Sequence, residues 1–229
     1  MGVVTCISGI DTDIGKTIAT GLLAKSLLQS GYSVITQKIV QTGCSGIAED
    51  IIAHRKLMNI DLLPEDETGL TCPYVFSKAC SPHLAAELEN TFIDTTTISR
   101  ATEKMCTNYD HVLLEGVGGL LVPLTREITF LDYVQEQGYS LILVSSSRLG
   151  SINHTLSALE LAKNRGIRVN GIVYNTFSTN DGIITEDSRN VFLKALEDYG
   201  FQATLIPLES KTNYSRDGMK LPCSQLFDL

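Results

Sequence analysis

No apolar run in this chain approaches the ~20 residues that a membrane-spanning helix needs. The N-terminus lacks a basic segment followed by a long apolar one, so no secretory signal is read there. Met1 to Cys6 approaches a myristoylation pattern, but Cys6 stands where Ser or Thr is wanted. Positive charge is scarce: 18 Lys and Arg face 26 Asp and Glu, for a net charge of −8. Nucleic acid and anionic membrane both call for a basic face, so neither is expected as a partner. A local basic pocket for a small anion stays open. The six cysteines form no Cys-x-x-Cys pair, which excludes the usual zinc and redox spacings. Scattered thiols without an export signal point to a reducing cytoplasm. The sequons at Asn153 and Asn213 then carry no glycan. Nor does any linker, repeat or composition shift divide the 229 residues, and one domain over 1–229 is expected.

Strand-like and helix-like segments alternate. Residues 3–8, 32–38, 111–116, 140–147, 169–175 and 203–208 read as strands. Residues 16–30, 47–58, 94–107, 151–165 and 185–199 read as helices. The region 60–90 and the tail after Leu208 read as loop-rich. Most strands are continuous apolar runs, the mark of strands buried on both faces. The expected fold is α/β: a doubly wound, mostly parallel sheet with helices on both faces. Ligands in such folds bind beyond the carboxyl ends of the strands. Four polar stretches fall at those ends: 9–17, 38–43, 115–119 and 175–176.

The first of these is a phosphate loop of unusual spacing. The general pattern has four residues between Gly and Gly-Lys-Ser/Thr. Here five residues separate Gly9 from Gly15-Lys16-Thr17. The working parts remain, since a strand enters a loop that opens a helix. Loop N–H groups and the helix N-terminus offer positive partial charge to an anion. Lys16 can reach β- and γ-phosphates, and Thr17 can offer its hydroxyl to Mg²⁺. The plainer alternative is a glycine turn whose helix is capped by Asp11 or Asp13. Glu115, in "HVLLEGVGG", ends a strand and suits Mg²⁺ or a solvated turn. Asp50 opens a helix, where an acid is favoured by the dipole alone. Lys38 ends a strand, placed either to neutralise a transferring phosphoryl group or to lie at the sheet rim.

Taken together, these strings resemble the dethiobiotin synthetase family of P-loop NTPases. The resemblance runs through "GIDTDIGKT" (9–17), "KIVQTG" (38–43), "SPHLAA" (81–86), "LLEGVGGLLVPL" (113–124), "LGSINHTLSALE" (149–160) and "GIVYN" (171–175), in order. The five-residue gap in the loop is that family's own form.

The resemblance implies an ATP- and Mg²⁺-dependent ligase that joins CO₂ to 7,8-diaminopelargonic acid to make dethiobiotin. A carbamate and a carbamic–phosphoric anhydride are the implied intermediates. It implies Lys38, Lys16 and Thr12 as catalytic residues, with Thr17, Asp50 and Glu115 holding the metal. It implies Asp13, Ile14, Gly15 and Ile18 around the phosphates, with Gly116, Val117 and Gly118 beside them. Asn175 and Thr176, with Ile206, Pro207 and Leu208, are implied at the adenine. Thr42, Ser81 and Gly118 are implied at the diamine. Gly150, Ser151, Ile152 and Asn153 are implied at its carboxylate, across the interface of a homodimer. That last assignment also has sense as a helix N-terminus facing an anion. His83 matches the family's "SPH" string, and its role stays open between substrate contact and structure.

Three departures stand out. Ile39 follows Lys38 where the family has Pro, Asp13 replaces a common Glu, and Val117 replaces a common Ala. None removes a functional group. Other readings compete with this one, and a catalytically weak paralogue that binds nucleotide and regulates is not favoured, since Lys16, Lys38 and Glu115 are all present. Amide-forming ligases of the cobyrinic acid diamide type need an ammonia source that this length does not hold. A cargo-positioning switch ATPase carries a lysine at the start of the loop, where Ile10 and Asp11 stand here. Its basic amphipathic tail is likewise not matched by 209–229.

Overall fold

The computed structural model describes residues 1–176, 181–208 and 224–227. Six parallel strands form the main sheet in the order β2-β5-β1-β6-β7-β8. They are β1 (Val3–Gly9), β2 (Val34–Lys38), β5 (His111–Glu115), β6 (Ser140–Ser146), β7 (Val169–Asn175) and β8 (Thr204–Leu208). A two-stranded parallel sheet pairs β3 (Gln41–Thr42) with β4 (Val75–Phe76).

Alternate residues of one strand enter different cores. Cys6, Leu114, Leu141, Leu143, Ile172 and Tyr174 face one cluster. There they meet Ile98 of α5 (Thr95–Cys106), Phe130 of α6 (Phe130–Gln137), Leu159 of α7 (Ser151–Asn164) and Phe192 of α8 (Gly182–Asp198). Ile7, Leu113, Ile142, Val144 and Val173 face the other cluster. It is closed by α1 (Lys16–Gln29), by Met58 of α2 (Glu49–Met58), and by Leu226 and Phe227. Burial on both faces is why these strands read as unbroken apolar runs. The doubly wound expectation is borne out.

The differences lie in the connections. The region 60–90 holds α3 (Pro64–Glu67), β4 and α4 (Pro82–Leu88), all too short for periodicity to reveal. Helix α6 was not expected, although its start was legible. Thr129 and Asp132 form a reciprocal capping box, with Thr129 Oγ1 accepting from the Asp132 N–H and the Asp132 carboxylate accepting from the Thr129 N–H. Helix α8 begins at Gly182 rather than residue 185, because Asp181 caps it by accepting from the Ile183 N–H. Strand β2 begins at Val34 rather than residue 32. Of the tail, 224–227 form a turn, while 209–223 and 228–229, with Asn213 and Cys223, lie outside the described residues. Among the described residues no helix is long and apolar enough to cross a membrane.

Candidate active site

The phosphate loop joins β1 to α1. Gly15 occupies the N-cap with φ +100°, a conformation glycine adopts without strain, and no side chain caps the helix. The turn capped by Asp11 or Asp13 is therefore not what forms. Asp11 instead accepts from the Thr12 N–H at 2.8 Å and pairs with Arg148, tying the loop to the segment after β6. Burial, opposed by Lys16's acidic neighbours but reinforced by the charge of Lys38, brings the Lys16 ammonium down to about 8. Its Nζ donates to the Asp11 carbonyl at 2.7 Å. Asn175, at the end of β7, donates from Nδ2 to the Ile14 carbonyl at 2.9 Å and so braces the loop. A side chain at Gly15 would bring a Cβ to 2.8 Å from that amide nitrogen.

A second group of charges gathers where β2 meets β5. Their register sets Lys38 directly opposite Glu115. Asp50 reaches them from the first turn of α2. Lys38 Nζ lies 2.5 Å from Asp50 Oδ2 and 2.9 Å from Glu115 Oε1, and it donates to the Gly116 carbonyl at 3.0 Å. Thr17 Oγ1 is 3.0 Å from Asp50 Oδ1 and 3.1 Å from Glu115 Oε1. Burial alone would raise the Glu115 carboxyl, but Lys38 and a hydrogen bond from His54 outweigh it and hold it far below the usual range. Burial likewise works against the Lys38 charge, and the two carboxylates overturn it and hold the lysine above its ordinary value. Both groups therefore stay ionised in a dry site.

The donors here are one hydroxyl and two carboxylates, all hard oxygens. Among the described residues no group of three or more His, Cys, Asp or Glu converges on one point. That combination suits Mg²⁺, which takes one or two carboxylates and completes its shell with phosphate oxygens and water. Thr17, Asp50 and Glu115 thus fit the ion. The Ile39 departure also has a structural counterpart. Its N–H donates to the Glu115 carbonyl at 3.0 Å, a bond that Pro has no proton to make.

A cleft of about 840 Å³ opens over this group. Its floor is the loop from Thr12 to Ile18, with Lys38, Asp50 and Glu115. Thr42, Ser81, Val117 and Gly118 form its walls. Gly116 lies just behind, offering its carbonyl to Lys38. Asn175, Thr176, Ile206, Pro207 and Leu208 stand outside the cleft. Ile206 and Leu208 are core residues, and the Leu208 carbonyl accepts from both the N–H and the hydroxyl of Thr176. Gly150 to Asn153 open α7 and do not line the cleft either. Ser151 is buried with Oγ 2.9 Å from Ser146 Oγ, Ile152 is half-buried, and Gly150 and Asn153 are exposed. His83 does not line the cleft, and its Nδ1 is buried without a partner.

Sequence reasoning missed His54, whose Nε2 lies 2.7 Å from Glu115 Oε2. The available signal was its place four residues after Asp50 in "EDIIAH", on the same helix face. It also missed Gln41 and Cys80 in the cleft wall, and the tie from Arg148 to Asp11, which no local pattern reveals.

Comparison with known proteins bears on this arrangement. A family described as AAA domain matches residues 4–205. The ATP-dependent dethiobiotin synthetase BioD of Chlorobaculum tepidum is 56% identical over 210 residues, spanning 91% of this chain and 88% of that protein. This chain belongs to the dethiobiotin synthetase family. Other members agree. BioD 2 of Pasteurella multocida is 51% identical, covering 87% of this chain and 93% of that protein. BioD 2 of Haemophilus influenzae is 54% identical, covering 81% and 97%. Among solved structures, a ParA family ATPase from Chlorobium tepidum superposes with a TM-score of 0.54 over 92% of this chain and 86% of its own. At 18% identity that likeness concerns the fold alone.

Proposed function

We propose that this chain is an ATP-dependent cyclo-ligase that converts 7,8-diaminopelargonic acid and CO₂ into dethiobiotin, with ADP and phosphate as the other products. One amine of the substrate adds to CO₂, loses a proton and becomes a carbamate. A carbamate oxygen attacks the γ-phosphorus of ATP, and the bond to the β-phosphate oxygen breaks to release ADP. The second amine then attacks the carbonyl carbon of the resulting carbamic–phosphoric anhydride. Phosphate leaves, a proton is lost, and the five-membered urea ring closes.

The carrying observation is the meeting of Lys16, Lys38, Thr17, Asp50 and Glu115 on one cleft, in a chain with 56% identity to a named synthetase. Carbamate and triphosphate are both anionic and must approach each other. Fixed cations are what such an approach requires, and it asks little of a general base. Lys16 and Thr12 face the phosphates and the carbamate, and Lys38 faces the transferred phosphoryl group. Thr17, Asp50 and Glu115 hold Mg²⁺, which when bound draws charge from the phosphate oxygens. Asp13, Ile14, Gly15 and Ile18 wrap the phosphates with backbone amides, and Gly116, Val117 and Gly118 lie opposite.

Asn175, Thr176 and the 206–208 segment border the adenine. Thr42, Ser81 and Gly118 contact the diamine. The chain acts as one ligase unit over 1–229 and pairs with a second copy. The helix start Gly150–Asn153 then receives the substrate carboxylate of the partner's site. Its net charge of −8 suits work on small molecules in the cytoplasm, away from nucleic acid and membrane.

Phosphate release from ATP and Mg²⁺ tests the proposal, with the diamine and bicarbonate added or withheld. Release that requires both, with dethiobiotin identified by mass, is the expected result. Release indifferent to the diamine would replace the ligase with a switch ATPase.

A further inference from the structure

His54 is buried at the second turn of α2, and its ring bridges two groups. Nε2 is 2.7 Å from Glu115 Oε2, and Nδ1 is 3.0 Å from Thr36 Oγ1. Thr36 Oγ1 in turn accepts from Arg55 NH1 at 2.8 Å. The polarity of this chain is forced at its carboxylate end. An arginine only donates, so Thr36 Oγ1 accepts from it and keeps its own proton and a second lone pair for the contact with His54 Nδ1. An ionised carboxylate only accepts, so His54 Nε2 carries the proton given to Glu115. The contact with Glu115 therefore places a proton on Nε2.

Glu115 is left with its two oxygens doing different work. Oε2 belongs to His54, while Oε1 meets Lys38 at 2.9 Å and Thr17 at 3.1 Å. Without a donor on Oε2 the carboxylate is held about its last torsion only through its Oε1 contacts. Asp50, the other carboxylate of the site, lies one helical turn before His54 on the same face of α2. One helix thus supplies one acid directly and holds the other through an imidazole. Arg55, bonded to Asp66 and to Thr36, fixes that helix against the sheet.

We infer that His54 is a positioning residue that orients the Glu115 carboxylate for the metal ion, through the relay Arg55–Thr36–His54–Glu115. The inference rests on the proposed role of Thr17, Asp50 and Glu115 toward Mg²⁺. It concerns the direction of the carboxylate and requires no change in the protonation of His54.

The test uses the full chain as wild type, His54→Leu, His54→Gln, Thr36→Val and Thr36→Ser. ATP binding is measured by calorimetry with Mg²⁺ and with EDTA, and phosphate release is measured across a Mg²⁺ titration. His54→Leu should raise the Mg²⁺ concentration for half-maximal release about tenfold or more, the usual scale for an outer-shell partner. It should also shrink the gain in ATP affinity that Mg²⁺ provides, with ATP binding in EDTA and kcat at saturating Mg²⁺ near wild type. Thr36→Val should shift the same constant in the same direction. His54→Gln, which keeps an N–H donor, and Thr36→Ser should restore it.

An unchanged Mg²⁺ constant in His54→Leu overturns the inference. So does an equal loss of ATP binding with Mg²⁺ and with EDTA, which would mark a purely structural role. If His54→Leu fails to fold, Thr36→Val decides on the same two criteria. A wild-type protein whose ATP binding ignores Mg²⁺ would instead sink the reading of the metal site itself.

Discussion

Replacing Arg55 with Met should destabilise the protein heavily, because it leaves a buried carboxylate with too few partners. Arg55 is 2% exposed and Asp66 3% exposed, so neither charge has solvent to fall back on. The guanidinium grips Asp66 with two bonds, Nε to Oδ2 and NH2 to Oδ1, each 2.8 Å. Thr71 Oγ1 and the Leu63 N–H add one bond each at 2.8 Å. After the substitution only those two neutral donors remain. Breaking a buried pair from one side costs about 3–5 kcal/mol. For a chain of this size that is roughly a 6–20 °C fall in Tm.

The pH dependence gives a second handle. Burial works to raise the Asp66 carboxyl, and the bonds and charge of Arg55, with the bonds from Leu63 and Thr71, reverse that and hold it below the ordinary range. In the wild type this carboxyl contributes stability at pH above its unfolded value, near 3.9, and the contribution is lost as pH falls through the lower folded value. In the variant the Leu63 and Thr71 bonds remain, but burial, the largest single influence, is expected to outweigh them and lift the folded value above the unfolded one. The variant's deficit is then full at neutral pH and shrinks as the carboxyl protonates on acidification. Denaturant melts of both proteins between pH 7 and pH 4 should show the two stabilities converging. Adding Asp66→Asn to the variant should recover part of the loss at pH 7. A variant within about 1 kcal/mol of wild type at pH 7 would refute the reasoning. So would a deficit that grows on acidification.

Two further substitutions test the chemistry. Lys38→Ala should lower kcat about 100-fold or more, by the scale known for removing one charge-stabilising donor; turnover left unchanged would remove Lys38 from the mechanism. Asn153→Ala should raise KM for the diamine while leaving KM for ATP unaltered, and an equal rise in both would count against a carboxylate site at the start of α7.

The central sheet was legible because its strands are apolar on both faces and its helices are long. The elements that escaped are local. Helices α3 and α4 run four and seven residues, fewer than two turns, so no periodic face develops. Helix α6, with eight residues, announced itself only by the Thr129–Asp132 box. In the site, Lys16, Thr17, Lys38, Asp50 and Glu115 were visible because strand ends and helix starts are where an α/β fold keeps its chemistry. His54 looked like one more interior position of α2, and its meaning depends on Thr36 and Glu115, residues far apart in the chain. The same holds for Ile39. The sequence shows a missing Pro, and only the fold shows the hydrogen bond that the N–H makes.

The pairing of Lys38 with Glu115 has a consequence for what can change around it. Their separation is inherited from the spacing between two hydrogen-bonded strands, a dimension the backbone holds near 4.8 Å whatever the surface loops do. The Ile39 N–H extends that ladder one step beyond the pair. The dimension that matters most for charge is therefore set by the sheet. The walls formed by Thr42, Ser81 and Val117 hang from short elements and turns beside it. Insertions or exchanges in those walls can reshape what the cleft admits while the spacing of the lysine and the acid stays put. The fold thus keeps its machinery and its selectivity on separate supports, and an engineer can vary the second without retuning the first.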